Sequence, residues 1–134
     1  MRISLLEPIG VSQELIDELS APIRKAGHEF IYYPEKTTDP AELIRRSAGC
    51  EIVTIANNPY PDQVVEAADQ LKMLNVAFTG IDHVGLEACR AKGVQICNAA
   101  NYSNQTVAEL AIGMTIDLLR HMDEAQQRVH NGGT

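Results

Sequence analysis

Five short apolar runs recur along the chain at residues 3–6, 30–33, 52–56, 73–77 and 94–97, so each begins 21 to 27 residues after the one before. They are rich in β-branched and aliphatic residues and lack clean polar alternation, the pattern of parallel strands covered on both faces. Helical patterns fill the intervals. Ser12 is placed to cap a helix carrying Leu15, Ile16, Leu19 and Ile23, with Pro22 expected to kink or divide it. Asp39-Pro40 and Pro61-Asp62 open two more helices, because proline is favoured at the first helical position. A fourth covers residues 84–91 and is closed by Lys92-Gly93, where glycine supplies a left-handed cap. Strands alternating with helices at this spacing predict an α/β fold with a five-stranded parallel sheet and right-handed crossovers.

The last segment breaks the rhythm. Residues 103–130 read as one long helix, broken late, with Thr106 and Glu109 spaced as a capping box. On a helical wheel its apolar residues, among them Val107, Leu110, Met114, Leu118 and Met122, cover an arc of roughly 200°, about twice what a helix on one sheet face needs. Such a helix wants a second partner: another lobe, another copy of the chain, or both. The polar tail from 123 to 134 reads as a frayed end or a linker.

Composition removes several classes of function. With 11 basic and 18 acidic residues the net charge is −7, and the only basic pairs, Arg24-Lys25 and Arg45-Arg46, fall at predicted helix ends. A nucleic-acid surface needs clustered Lys and Arg, so neither nucleic acid nor an anionic membrane is an expected partner. The N-terminal residues meet Glu7 and Pro8 too early for a signal peptide. Cys50, Cys89 and Cys97 make no CxxC pair and no metal spacing, which reads as reduced thiols in a cytoplasmic protein.

In an open parallel sheet, ligands bind outside the carboxyl ends of the strands. The loops there are residues 7–11, 34–38, 57–61, 78–83 and 98–104. Phe78-Thr79-Gly80 is small enough for backbone amides to approach an anion, although taken alone a plain turn is the commoner reading of such a loop. Asn57-Asn58 offers two side-chain amides to a carboxylate or hydroxyl, or two turn formers bonding their own backbone. His28, His83, His121 and His130 include no pair at helical metal-binding spacing, and the neighbours Asp82 and His83 do not make a dyad. The chain contains no P-loop, nucleophile elbow or GxGxxG turn.

Residues 71–120 carry a more specific signal. A strand ending in Thr79-Gly80-Ile81-Asp82, then Leu86-Glu87-Ala88, a Lys92-Gly93 turn, a strand ending in Cys97-Asn98-Ala99, and a Val107-Ala108-Glu109 helix start follow in order with little slack. This resembles the D-isomer-specific 2-hydroxyacid dehydrogenases, the phosphoglycerate and glycerate dehydrogenase group. The resemblance implies that residues 1–100 are a flavodoxin-like, doubly wound substrate-binding lobe. Residues 101–134 would then be a crossover helix and tail leading to an absent Rossmann lobe. It also implies substrate-binding roles for Asn57, Asn58, Phe78, Thr79 and Gly80, and a homodimer through residues 103–122. The reaction implied is hydride transfer between a small 2-hydroxy or 2-oxo acid and NAD or NADP. The dinucleotide turn and the catalytic residues of that family lie beyond the equivalent of Thr134, so the chain alone is expected to be inactive and to hold no cofactor and no metal.

Two departures matter. Where many members have an arginine-containing motif after the third strand, this chain has Ile55-Ala56-Asn57-Asn58, which argues against a phosphorylated substrate; and His83 stands where the family usually has Asn. The competing reading is a receiver-like or other non-catalytic flavodoxin-fold module. A receiver's phosphorylation site needs paired acids, an Asp and a Lys, where this chain offers Glu7, Asn57-Asn58 and Asn98.

Overall fold

The computed structural model describes residues 1–133 and divides at Ala100 into two compact units, 1–100 and 101–134. The first unit contains β1 (Arg2–Leu5), α1 (Gln13–Lys25), β2 (Glu29–Tyr32), α2 (Pro40–Ser47), β3 (Ile52–Ile55), α3 (Asp62–Ala67), β4 (Met73–Val76), α4 (Leu86–Lys92) and β5 (Gln95–Asn98). The strands form one all-parallel sheet in the order β2-β1-β3-β4-β5. The chain winds outward from β1 to β2, then crosses back over β1 to β3. The winding direction therefore reverses between β1 and β3, where a doubly wound sheet opens a crevice at its carboxyl edge.

The elements form for the reasons the residues suggest. Ser12 caps α1, its Oγ accepting from the amide of Leu15 at 3.3 Å. Asp39 caps α2, accepting from Ala41, with Pro40 at the first helical position. Gly93, at φ 69°, closes α4 in the left-handed conformation. The Lys92 ammonium donates to the carbonyls of Val65, Glu66 and Ala68 at 2.8–3.1 Å, satisfying the free end of α3. Helix α1 runs unbroken through Pro22, contrary to the expected division.

The core lies on one face of the sheet. Val53, Ile55, Leu74 and Val76 pack with Leu43 of α2, Val64 and Val65 of α3, and Ala88 and Cys89 of α4. On the other face Ile52, Thr54, Met73 and Asn75 are only half-buried, so β3 and β4 alternate in burial. Equal cover on both faces, expected from the apolar runs, is not found in this unit. Helix α1 packs against β2, and Leu5, Ile16 and Phe30 line a small apolar hollow.

The second unit holds α5 (Asn104–Arg120) and α6 (Met122–His130). His121, at φ 52° and ψ 43°, breaks the helix between them, a conformation that L side chains rarely adopt. The expected capping box is absent. The helix already starts at Asn104, so the Thr106 hydroxyl donates back to the carbonyl of Ser103 at 2.9 Å, and Glu109 accepts from Gln105 one turn earlier. No helix among the described residues is long and apolar enough to cross a membrane.

Candidate functional site

Loops at the carboxyl edge of the sheet are tied to one another. The Glu7 side chain, just past β1, is 1% exposed, and its Oε1 accepts from the amides of Ala56 and Asn58, both at 2.7 Å. This carboxylate sits at the reversal point of the winding and fixes the loop after β3 to the end of β1. Tyr60, fully buried, anchors the far end of that loop, its hydroxyl donating to Ser47 Oγ at 2.9 Å. Burial pushes the Tyr60 phenol up to about 12, the bond to Ser47 opposing the shift.

The β3 and β4 loops are zipped together by a short parallel bridge. Tyr60 donates to the carbonyl of His83 at 2.9 Å, and Gly85 donates to that of Tyr60 at 2.8 Å. Gly85 is required by closeness, since a Cβ there would lie 2.6 Å from the Asp62 backbone nitrogen. His83 Nε2 lies 3.0 Å from the carbonyl of Ala56, so the imidazole braces the β3 loop. The β4 and β5 loops are joined by Asn98 Nδ2 donating to the Thr79 carbonyl at 2.7 Å and by Thr79 Oγ1 donating to the Ala99 carbonyl at 3.3 Å.

These ties leave backbone donors free in the loop after β4, as they are in the loops after β1 and β2. The backbone amides of Thr79, Gly80 and Ile81 donate to no acceptor among the described residues. Successive unpaired amides in a loop make an anion cradle. Thr79 and Gly80 are exposed, and Phe78 beside them is 44% exposed, giving the cradle an apolar flank. Asn57 is exposed in the next loop, with its Oδ1 accepting from Lys36 Nζ at 2.7 Å. Asn58 differs from its neighbour. Its side chain is fully buried and neither Oδ1 nor Nδ2 has a partner among the described residues.

The β2 loop is held by a buried arginine. Arg46, 7% exposed, donates to the carbonyls of Leu6 at 3.0 Å and Glu35 at 2.6 Å, and its guanidinium lies 4.7 Å from the centre of the Tyr33 ring. Hydrogen bonds from Arg45 and Arg46 pull the Glu42 carboxyl down to about 2. Sequence reasoning did not find Arg46 or Lys36. The available signal was that Lys36 is the single Lys or Arg in the five strand-end loops.

A groove of about 460 Å³ lies beside the bridge, lined by Asp62, Asp82, His83, Gly85 and Glu87 among others. Its three carboxylates disfavour an anionic ligand. No cluster of His, Cys, Asp or Glu among the described residues is placed to hold a metal ion.

Comparison with known proteins gives a consistent picture. Residues 3–131 match the profile of the D-isomer specific 2-hydroxyacid dehydrogenase catalytic domain. The chain is 32% identical over 118 residues to a glycerate dehydrogenase of Methylorubrum extorquens, covering 87% of this chain and 37% of that one. It is 38% identical over 93 residues to the D-3-phosphoglycerate dehydrogenase of Rattus norvegicus, covering 68% of this chain and 17% of the relative. The fold is that of an NAD-dependent formate dehydrogenase from Staphylococcus aureus, solved with NAD, at a TM-score of 0.79 and 23% identity. That match covers all of this chain and 43% of the other. The chain thus spans less than half the length of these relatives.

Proposed function

The chain belongs to the D-isomer specific 2-hydroxyacid dehydrogenase family, and we propose that it is the substrate-binding part of an NAD(P)-dependent oxidoreductase acting on the CH–OH group of a D-2-hydroxy acid. The observation that carries this is the run of unpartnered amides at Thr79, Gly80 and Ile81, at the carboxyl end of β4, one strand removed from the reversal point of a doubly wound sheet. In this reading those amides hold the C1 carboxylate, Phe78 excludes water from one side, and the Asn57-Asn58 loop borders the cleft opposite. The Asn57 side chain contacts the acid directly, whereas buried Asn58 acts through its backbone bond to Glu7. The geometry orients the acid and leaves its C2 open to a second lobe.

The nicotinamide cofactor of such an enzyme accepts or supplies the hydride at C2. This chain's own residues do not fit a dinucleotide. Beyond β1, where a Rossmann lobe has its glycine-rich turn, stands buried Glu7, whose negative charge opposes a diphosphate. Residues 1–100 serve as the substrate lobe, while residues 101–134 serve as the crossover toward a cofactor lobe. The chain by itself is inactive.

The receiver-like alternative is disfavoured by the buried, doubly bonded Glu7, which is not arranged as one of a metal-binding acidic pair. Calorimetric titration of the purified chain with NADH tests the division of labour. We expect no heat of binding up to millimolar NADH, and a micromolar dissociation constant would overturn it.

A further inference from the structure

Lys36 and Glu7 form a polar pair that the anion cradle does not use. Glu7 Oε1 is occupied by the amides of Ala56 and Asn58, while Oε2 takes no hydrogen bond among the described residues. Lys36 Nζ lies 3.9 Å from Oε2, too far for a hydrogen bond to it, and donates once, to Asn57 Oδ1 at 2.7 Å. An ammonium has three donors, so donors remain free on Lys36. The pair therefore presents a vacant acceptor beside free donors. A hydroxyl group, which donates and accepts at once, matches both. A phosphate would meet the Glu7 carboxylate, and a methyl group would satisfy neither partner.

The pair is preset. Glu7 is buried and held by two backbone amides, while the β2 loop that carries Lys36 is clamped through the carbonyl of Glu35 by buried Arg46. Its position suits the same ligand. Lys36 rests on the β3 loop, and β3 pairs directly with β4, so this loop neighbours the one that carries the cradle at Thr79 and Gly80.

Building on the function proposed above, we propose that Glu7 and Lys36 read a hydroxyl on C3 of the substrate. The substrate class is then a 3-hydroxy-2-oxo acid or its 2,3-dihydroxy counterpart. Glu7 Oε2 accepts from the C3 hydroxyl, and Lys36 Nζ donates to it. The pair thus selects against both C3-phosphorylated and C3-unsubstituted acids.

The test measures affinities of the 134-residue chain for D-glycerate, 3-phospho-D-glycerate and D-lactate by amide chemical-shift titration. The cradle amides of residues 79–81 serve as the independent readout of carboxylate binding. The expected result is tighter binding of D-glycerate than of either other acid, by about five- to tenfold, the scale of one hydrogen bond. Lys36→Met should lower the D-glycerate affinity more than the D-lactate affinity and bring their ratio down toward one, and Lys36→Arg should keep part of the preference. A merely structural role for the pair would shift all three acids together. The inference is overturned if all three acids move the cradle amides but the glycerate-to-lactate ratio is the same in Lys36→Met as in the unaltered chain. If no acid moves those amides, the proposed function falls and takes the inference with it.

Discussion

Burial gives the Tyr60 phenol a role that a pH titration can isolate. Its folded value of about 12 lies above the ordinary 10, so the neutral form is the one the fold holds. The stability it contributes is fully present below pH 10 and is lost as pH rises through about 12. Tyr60→Phe removes the hydroxyl bond to Ser47 and with it this alkaline dependence. We expect the variant to lose about 1 kcal/mol at neutral pH, by urea unfolding. The difference between the ultraviolet titrations of the two proteins should show one phenol ionising only near pH 12. At the same scale, the reading from residues alone placed Asn57 and Asn58 together as equals. The fold separates them, because one loop turn exposes Asn57 and buries Asn58. Nothing in a local pattern distinguishes two adjacent asparagines. What distinguishes them is the bond from the Asn58 amide to Glu7, 51 residues away.

The elements were legible wherever their signal is local. Strand positions followed from apolar runs to within a residue or so, and the caps Ser12 and Asp39 from their own chemistry. The capping box at Thr106 failed because two residues at the right spacing say nothing about where the helix actually begins. The clamp by Arg46, which reaches a carbonyl 40 residues earlier, carries no periodic signature at all. The bridge between the β3 and β4 loops belongs to the same class, and it sets a prediction. Gly85→Ala places a methyl group against the backbone of Asp62 and must push the two loops apart. The expected cost is roughly 1–3 kcal/mol, the scale of overpacking. It should be measurable as a lowered denaturation midpoint, together with faster hydrogen exchange at the Tyr60 and Gly85 amides. An unchanged midpoint would mean that the loops are not held by this contact.

For the molecule as a whole, the long terminal helix of the second unit stands out for its apolar side chains. Leu110, Ile112, Met114, Leu118 and Leu119 of α5 are all more than half exposed. Contiguous apolar surface of this kind often marks an interface, and the resemblance to the dehydrogenase family implies a homodimer through residues 103–122. Sedimentation at high micromolar concentration should therefore find a dimer for the chain and a monomer for Leu110→Glu/Leu118→Glu. A monomeric unaltered chain would refute the assignment. If the sheet's carboxyl edge holds a small acid by the amides after β4, as proposed, amide chemical-shift mapping with a simple acid will show it. Titration with D-lactate should move the amides of Thr79, Gly80 and Ile81 first and furthest, leaving the acidic groove at Asp62 and Glu87 unmoved. Shifts centred on that groove, or none at the β4 loop at saturating acid, would contradict the account.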